Sequence, residues 1–316
     1  MTPRTKAGLV KFRPVEPGGR IALVAPASPF ERAEFDAGVA ELGRLGFDPV
    51  FDDSIFAREP IVAGPAERRA EALITALSRP DVDAVLAVRG GYGSAEVLPW
   101  LAASPIAGAR RALVGYSDIT ALHAYLNCHV GVTSVHGAMI DGRLSKGPAS
   151  YDPTSFKACL GRRPLGEMTA PALDVVRAGE ATAPLFGGTL TQIGASLGTP
   201  YAFDPPAPYV LFIEDVGERP YRLRRILTQL AQSGRLSGAV AVVAGEMDRC
   251  VEPGGATTAK DVIAEFFRAF PGPVLFGFPS GHTTRPSLSV PLGVEVQVVG
   301  PARGRPVVVF REAAAG

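Results

Sequence analysis

Long apolar runs are missing from this chain: none approaches the roughly 20 consecutive apolar residues of a membrane-spanning helix, so no membrane-embedded role is expected. Cysteine is scarce. The three present, Cys128, Cys159 and Cys250, are far apart and odd in number, which argues against a disulfide framework or a cysteine-rich metal site and leaves inert, buried thiols as the reading. Charge of one sign is not in excess either. A formal net charge of +1 supplies no electrostatic reason for a nucleic acid or an anionic membrane as partner. Arg4, Lys6, Lys11 and Arg13 are followed by no apolar segment before Pro14, so no secretory signal is expected and a cytoplasmic location is. Internal repeats and low-complexity tracts are also absent. What is there is ordinary: 47% hydrophobic and 20% charged residues is the composition of a globular protein, and 316 residues exceed what one core usually serves, so two domains are expected.

Strands and helices alternate in the first half. Arg20 to Ala25, Asp48 to Phe51 and Asp83 to Val88 read as strands, with helices expected after Ser28 and over Pro65 to Leu77. Ser28, with Pro29 behind it and Glu31 three positions on, has the form of a capping box. The alternation implies a parallel sheet with helices on both faces. The stretch from Asp141 to Ala183 is rich in Gly, Pro and charge, and a boundary is placed there: 1–165 as a first domain, 166–183 as a linker and 184–316 as a second domain. The short strands of the C-terminal tail, separated by Gly and Pro, predict antiparallel structure in the second domain beside its helices.

The stretch Val114-Gly115-Tyr116-Ser117-Asp118 carries the first candidate chemistry. Ala112, Leu113 and Val114 form a buried strand, Gly115 permits a tight turn, and Ile119, Leu122 and Leu126 fall on one face of a helix. Ser117 then stands between strand and helix, where unpaired helix amides point at anything negative. That is the logic of a nucleophile elbow, although the G-x-S-x-G spelling is absent because position 119 is Ile. Ser117 as a plain helix cap is the alternative.

Arg89-Gly90-Gly91-Tyr92-Gly93-Ser94 follows the third strand and is the second candidate. Its glycines leave amides free to donate, so with the Ser117 turn it could form an oxyanion hole. A dinucleotide loop is a rival, but G-x-G-x-x-G is not matched, and a structural turn is another. His136 reads as a structural histidine. In the second half, the apolar strand Tyr209 to Ile213 ends in Glu214-Asp215, which places a carboxylate where a buried strand emerges. His282 lies in a loop of Gly, Pro, Ser and Thr that packing alone does not explain.

These motifs, in this order, resemble the LD-carboxypeptidase family, the serine peptidases typified by muramoyltetrapeptide carboxypeptidase and including the microcin C self-immunity peptidase. The landmarks are Ile21 to Ser28, Arg89-Gly-Gly-Tyr-Gly93, Gly115-Tyr-Ser-Asp118, His136-Gly137, Gly187-Gly188 through Pro200, Phe212-Ile-Glu-Asp215 and Gly277 through His282. The resemblance implies an α/β fold with an N-terminal parallel, Rossmann-like sheet and a C-terminal domain of mixed strands and helices. It implies a catalytic triad of Ser117, Glu214 and His282, with Asp215 and Glu218 as rival carboxylates, and an oxyanion hole from the backbone amides of Gly91 and Asp118. No metal and no cofactor are implied. The implied substrate is a peptidoglycan tetrapeptide, cut between the L centre of its diamino acid and the terminal D-alanine during cell-wall recycling, and the implied assembly is a homodimer.

Two positions depart from the family pattern: Thr189 where Asn is frequent and Ala138 where Pro is frequent. The microcin-type branch stacks a tryptophan on its nucleotide substrate; the sole tryptophan here is Trp100, which favours the muropeptide branch. Hydrolysis of a peptidyl or acyl nucleotide and a non-hydrolytic muropeptide-binding role are the alternatives, and a nucleotide-dependent oxidoreductase suffers from the missing fingerprint.

Overall fold

Short runs of Ala, Val, Leu and Ile bounded by Gly and Pro become buried parallel strands, because only a strand covered on both faces needs side chains that are apolar all round. The computed structural model describes residues 9–316; Arg4 and Lys6 lie outside the described residues. The first unit comprises β1 (Arg20–Val24), α1 (Arg32–Arg44), β2 (Asp48–Val50), α2 (Ala66–Ser78), β3 (Ala84–Ala87), α3 (Leu98–Ala102), β4 (Ala112–Gly115), α4 (Thr120–Tyr125), β5 (Ser134–His136) and α5 (Pro153–Leu160). Strands β2, β1, β3, β4 and β5 lie side by side in parallel, in that spatial order. Every residue of β3 and β4 is buried.

The second half of the chain carries β6 (Gly166–Met168), β7 (Asp174–Arg177), β8 (Gly179–Thr189), α6 (Leu190–Ser196), β9 (Tyr209–Glu214), α7 (Pro220–Gln232), β10 (Ala239–Gly245), α8 (Ala259–Phe266), β11 (Val274–Phe278), β12 (Val290–Leu292), β13 (Glu295–Gly300) and β14 (Val307–Phe310). Its eight-stranded sheet runs β6-β14-β13-β8-β9-β10-β11-β7. The centre, β8 to β11, is parallel, while β13, β14, β6 and β7 add antiparallel pairs. The mixed second sheet is thus as expected. Helix α7 starts with Pro220 in its first turn and buries Leu223, Leu227 and Leu230. A proline is tolerated there because the first-turn amide has no intrahelical partner.

Three details differ from the sequence reading. Residues 166–183 are not a linker: they supply β6 and β7 at the two edges of the second sheet and the first part of β8. Their Gly, Pro and charge reflect edge exposure, where one face and one side of a strand meet water. Strand β12, expected in the second domain, instead pairs antiparallel with β5 and extends the first sheet, with Val290 opposite His136. The capping box at Ser28 does not form either. Helix α1 begins at Arg32 with Glu31 as its uncapped N-terminal residue, because the Ser28 hydroxyl donates to the Ile61 carbonyl and accepts from the Tyr92 amide.

Parallel sheets gather loops at the carboxyl ends of their strands. In the first sheet these ends deliver Ala25 to Ser28, Arg89 to Ser94, the Ser117 turn and His136. In the second they deliver Thr189, Glu214, Glu246 and the loop that follows β11. The Thr189 amide donates to Thr120 Oγ1 at 3.0 Å, and His136 reaches Ser280 Oγ at 3.3 Å, so the two sets of strand ends meet. Cys128, Cys159 and Cys250 are buried, and among the described residues none of them forms a disulfide. Among the described residues no helix is long and apolar enough to cross a membrane.

Candidate active site

Ser117 occupies a backbone conformation that a serine adopts only under constraint. Tyr116 is still extended, and Ser117 then turns to φ 63° before a helical run through α4 that carries buried Ile119, Leu122 and Leu126. The left-handed region costs a residue with a Cβ about 1 kcal/mol or more, so neighbours must enforce it. Tyr116, not Ser117, is the residue in the cap position, and among the described residues no side-chain capping bond forms there. The hydroxyl is accordingly presented rather than consumed.

The glycine loop lies directly against this turn. A Cβ at Gly90 would stand 2.9 Å from Ser117 Cβ and 3.2 Å from the Asp118 amide nitrogen, so only glycine lets the two backbones approach. Among the described residues neither the Gly91 nor the Asp118 amide donates to a protein acceptor. Four side chains hold the arrangement: those of Asp118, Ser94, Arg69 and Ser28. Asp118 accepts from the Ser94 amide at 2.7 Å while Ser94 Oγ donates to the Asp118 carbonyl; burial pushes the Asp118 carboxyl up despite the bonds from Ser94. Buried Arg69 donates to the carbonyls of Pro26, Gly64 and Gly93 and pairs with Glu96. Ser28 ties the loop of Ile61 to Tyr92.

From the second sheet comes a carboxylate and imidazole pair. Glu214, the last residue of β9, is wholly buried. Its Oε2 accepts from the His282 backbone amide and from His282 Nδ1, each at 2.8 Å, and its Oε1 accepts from the Thr189 hydroxyl. Gly281 permits this closure, since at φ 78° a Cβ there would lie 2.6 Å from Glu214 Cδ. His136 Nε2 stands 3.8 Å from Glu214 Oε1, beyond hydrogen-bonding reach. Burial pushes the Glu214 carboxyl up, but the His282 charge and bond, with His136 beside it, outweigh this and hold it well below the usual range. The same pairing acts in reverse on His282: burial lowers its pKa, Glu214 raises it by more, and the net direction is up. Because an ionised carboxylate can only accept, Nδ1 carries the proton and Nε2 is left as the free acceptor.

The rival carboxylates are engaged elsewhere. Asp215 accepts from the Thr191 amide and hydroxyl and from the Val216 amide, with burial pushing it up to about 6. Glu218 stands 3.6 Å from Arg222. Among the residues singled out from sequence, Glu214 and His282 are joined directly, Asp118 follows Ser117 in the chain, and Gly91 follows Gly90, the residue packed against Ser117. The Tyr116 ring lies edge-on to His282 with centroids 5.1 Å apart, yet no hydrogen bond links Ser117 Oγ to the imidazole among the described residues. Such bonds commonly tighten only when substrate arrives. No cluster of three or more His, Cys, Asp or Glu able to hold a metal ion occurs among the described residues.

Residues 21–137 match the LD-carboxypeptidase N-terminal domain and residues 182–298 the LD-carboxypeptidase C-terminal domain. The chain belongs to the LD-carboxypeptidase family. It is therefore a hydrolase of the peptidase class. It is 34% identical to a putative carboxypeptidase of Streptomyces coelicolor, over 92% of this chain and 93% of that protein. It is 32% identical to the murein tetrapeptide carboxypeptidase of Pseudomonas aeruginosa, over 86% and 90%. The microcin C7 self-immunity protein, solved in complex with aspartyl sulfamoyl adenosine, superposes with a TM-score of 0.87 at 22% identity, covering 97% of this chain and all of that one; the likeness is one of fold.

Several residues of this site escape sequence reasoning. Thr189 is visible only as a departure from the family pattern, yet its hydroxyl is a ligand of Glu214. Ser28 reads as a cap, and Arg69 is not singled out at all, because their partners include groups distant in sequence. No local signal marks them.

Proposed function

We propose that this protein is a serine LD-carboxypeptidase, cutting the amide between the L centre of a diamino acid and the terminal D-alanine of a peptidoglycan tetrapeptide. The observation that carries the reading is the Glu214 and His282 pair, with Tyr116, the residue before the strained Ser117, packed edge-on against the imidazole. His282 Nε2 takes the Ser117 proton as Oγ attacks the carbonyl. Glu214 holds the proton-bearing Nδ1 and stabilises the imidazolium that results. The Gly91 and Asp118 amides receive the oxyanion, each worth about 3 kcal/mol of barrier. His282 then protonates the departing D-alanine nitrogen, and water, deprotonated by the same imidazole, releases the acyl group from Ser117.

The test is D-alanine release from L-Ala-γ-D-Glu-meso-diaminopimelyl-D-Ala by the purified chain, run beside a peptidyl sulfamoyl adenylate. Release from the tetrapeptide alone is expected. A folded wild-type protein that releases no D-alanine refutes the substrate assignment, and cleavage of the adenylate in its place transfers it to the microcin-type reading.

The pH dependence follows from the charge states. His282 must be neutral to accept a proton, and Glu214 raises its pKa. The acid limb of kcat/KM should therefore rise through an apparent pKa above the ordinary histidine value of about 6.5. A limb below that value contradicts the pairing.

A further inference from the structure

The loop that carries His282 is held by a side chain from the other sheet unit. Arg143 follows β5, in the turn that leads into a short 3-10 helix over Leu144–Ala149. One guanidinium nitrogen donates to the Gly281 carbonyl at 2.7 Å and to the Thr283 carbonyl at 3.0 Å, the two residues that bracket His282. The other terminal nitrogen donates to the Ser150 carbonyl at 2.9 Å, which fixes the fork to its own unit. The guanidinium carbon also sits 5.9 Å from the centre of the Tyr116 ring. Tyr116 in turn packs edge-on against His282 and immediately precedes Ser117. One half-buried arginine thus touches the backbone on both sides of His282 and the residue before the serine.

We infer that Arg143 is a positioning residue that sets the distance and angle between His282 and Ser117 by clamping the 281–283 loop to the Tyr116 turn. This rests on the proposed roles of His282 and Ser117. A planar fork is well shaped for such a clamp, because several donors in one rigid plane can hold two carbonyls at once, which an ammonium group on a flexible stem does poorly. Reaction rates depend steeply on such placement, and a displacement of about 1 Å can cost about 100-fold.

Arg143 also contributes charge. Burial lowers the His282 pKa, Glu214 and Asp215 raise it, and the Arg143 cation lowers it. The other groups around the imidazole are Tyr116 from the first sheet, His136 across Glu214, and Glu246, which bonds Thr284 beyond the loop. Removing the Arg143 cation therefore shifts His282 upward, whereas replacing it with another cation does not.

The test compares Arg143→Met and Arg143→Lys with wild type in D-alanine release across pH. Arg143→Met should lose about 100-fold in kcat with little change in KM, and its acid limb should move to higher pH. Arg143→Lys should lose kcat while its limb stays at the wild-type position. If Arg143→Met fails to fold, Arg143→Lys still reads the clamp through kcat. Wild-type kcat in both variants, or a loss confined to KM, overturns the inference; so does a fall in kcat matched by a fall in thermal stability with the Met variant's limb unmoved. If wild type releases no D-alanine, the substrate reading has failed, and the same comparison is made on acylation of Ser117 by a fluorophosphonate. There a slower Arg143→Met with a raised limb supports the clamp, and equal rates, or no acylation of wild type, overturn it.

Discussion

Ser117→Ala should lower kcat for D-alanine release by on the order of a million-fold, leaving only the residual rate that binding and an oxyanion hole supply without a nucleophile. The members of such a triad act as a unit, so adding His282→Ala to Ser117→Ala should cost little more. The two substitutions at this serine should separate chemistry from strain. Alanine keeps a Cβ at φ 63°, so Ser117→Ala should unfold in denaturant at nearly the wild-type midpoint. Glycine removes the Cβ, and Ser117→Gly should be equally inactive yet about 1 kcal/mol more stable than Ser117→Ala. Retention of even a hundredth of wild-type activity by Ser117→Ala, about 10⁻² against an expected 10⁻⁶, removes Ser117 as nucleophile.

Glu214→Gln should cost about 10⁴-fold in kcat and shift the acid limb of the pH profile downward. The carboxylate accepts from the Thr189 hydroxyl, the His282 amide and His282 Nδ1. An amide offers one oxygen and a pair of N–H donors, so one of these partners must meet a donor. If that partner is the imidazole, the proton moves to Nε2 and the base for Ser117 is lost. Losing the negative charge also removes what raises His282, which is why the limb falls.

Stability carries a second signature of the same group. The folded-state pKa of Glu214 is depressed, so its ionised form contributes stability that is complete above the unfolded carboxyl value of about 4.3 and is lost as pH falls through the lower folded value. Glu214→Gln should flatten that acid-side dependence and lower neutral-pH stability by about 1 to 3 kcal/mol through the unsatisfied donor. An unchanged limb together with wild-type turnover would sink the role of Glu214.

Arg143 and Thr189 show where sequence reading stops. Helix α7, buried strand β9 and the abrupt end of β4 at Gly115 are legible because apolar period, proline and glycine act within a few residues. Ser117, Glu214 and His282 stand out for the same reason: each is a polar residue where an apolar run or a Gly-rich turn puts it at a strand end. Ser28 misleads, because its neighbours spell a cap while its hydroxyl is used 33 and 64 residues away.

By itself, the sequence determined the order of strands and helices, the parallel first sheet, the mixed second sheet, the family, and which polar residues stand at strand ends. These follow from local stereochemistry and burial pattern. Tertiary structure alone decided that residues 166–183 complete a sheet, that β12 crosses to β5, that the Thr189 hydroxyl bonds Glu214, and that Arg143 holds the histidine loop. Those outcomes depend on contacts such as the 138-residue closure between Arg143 and Gly281. Contacts of that span are selected by how whole layers pack, and no window of neighbouring residues encodes them.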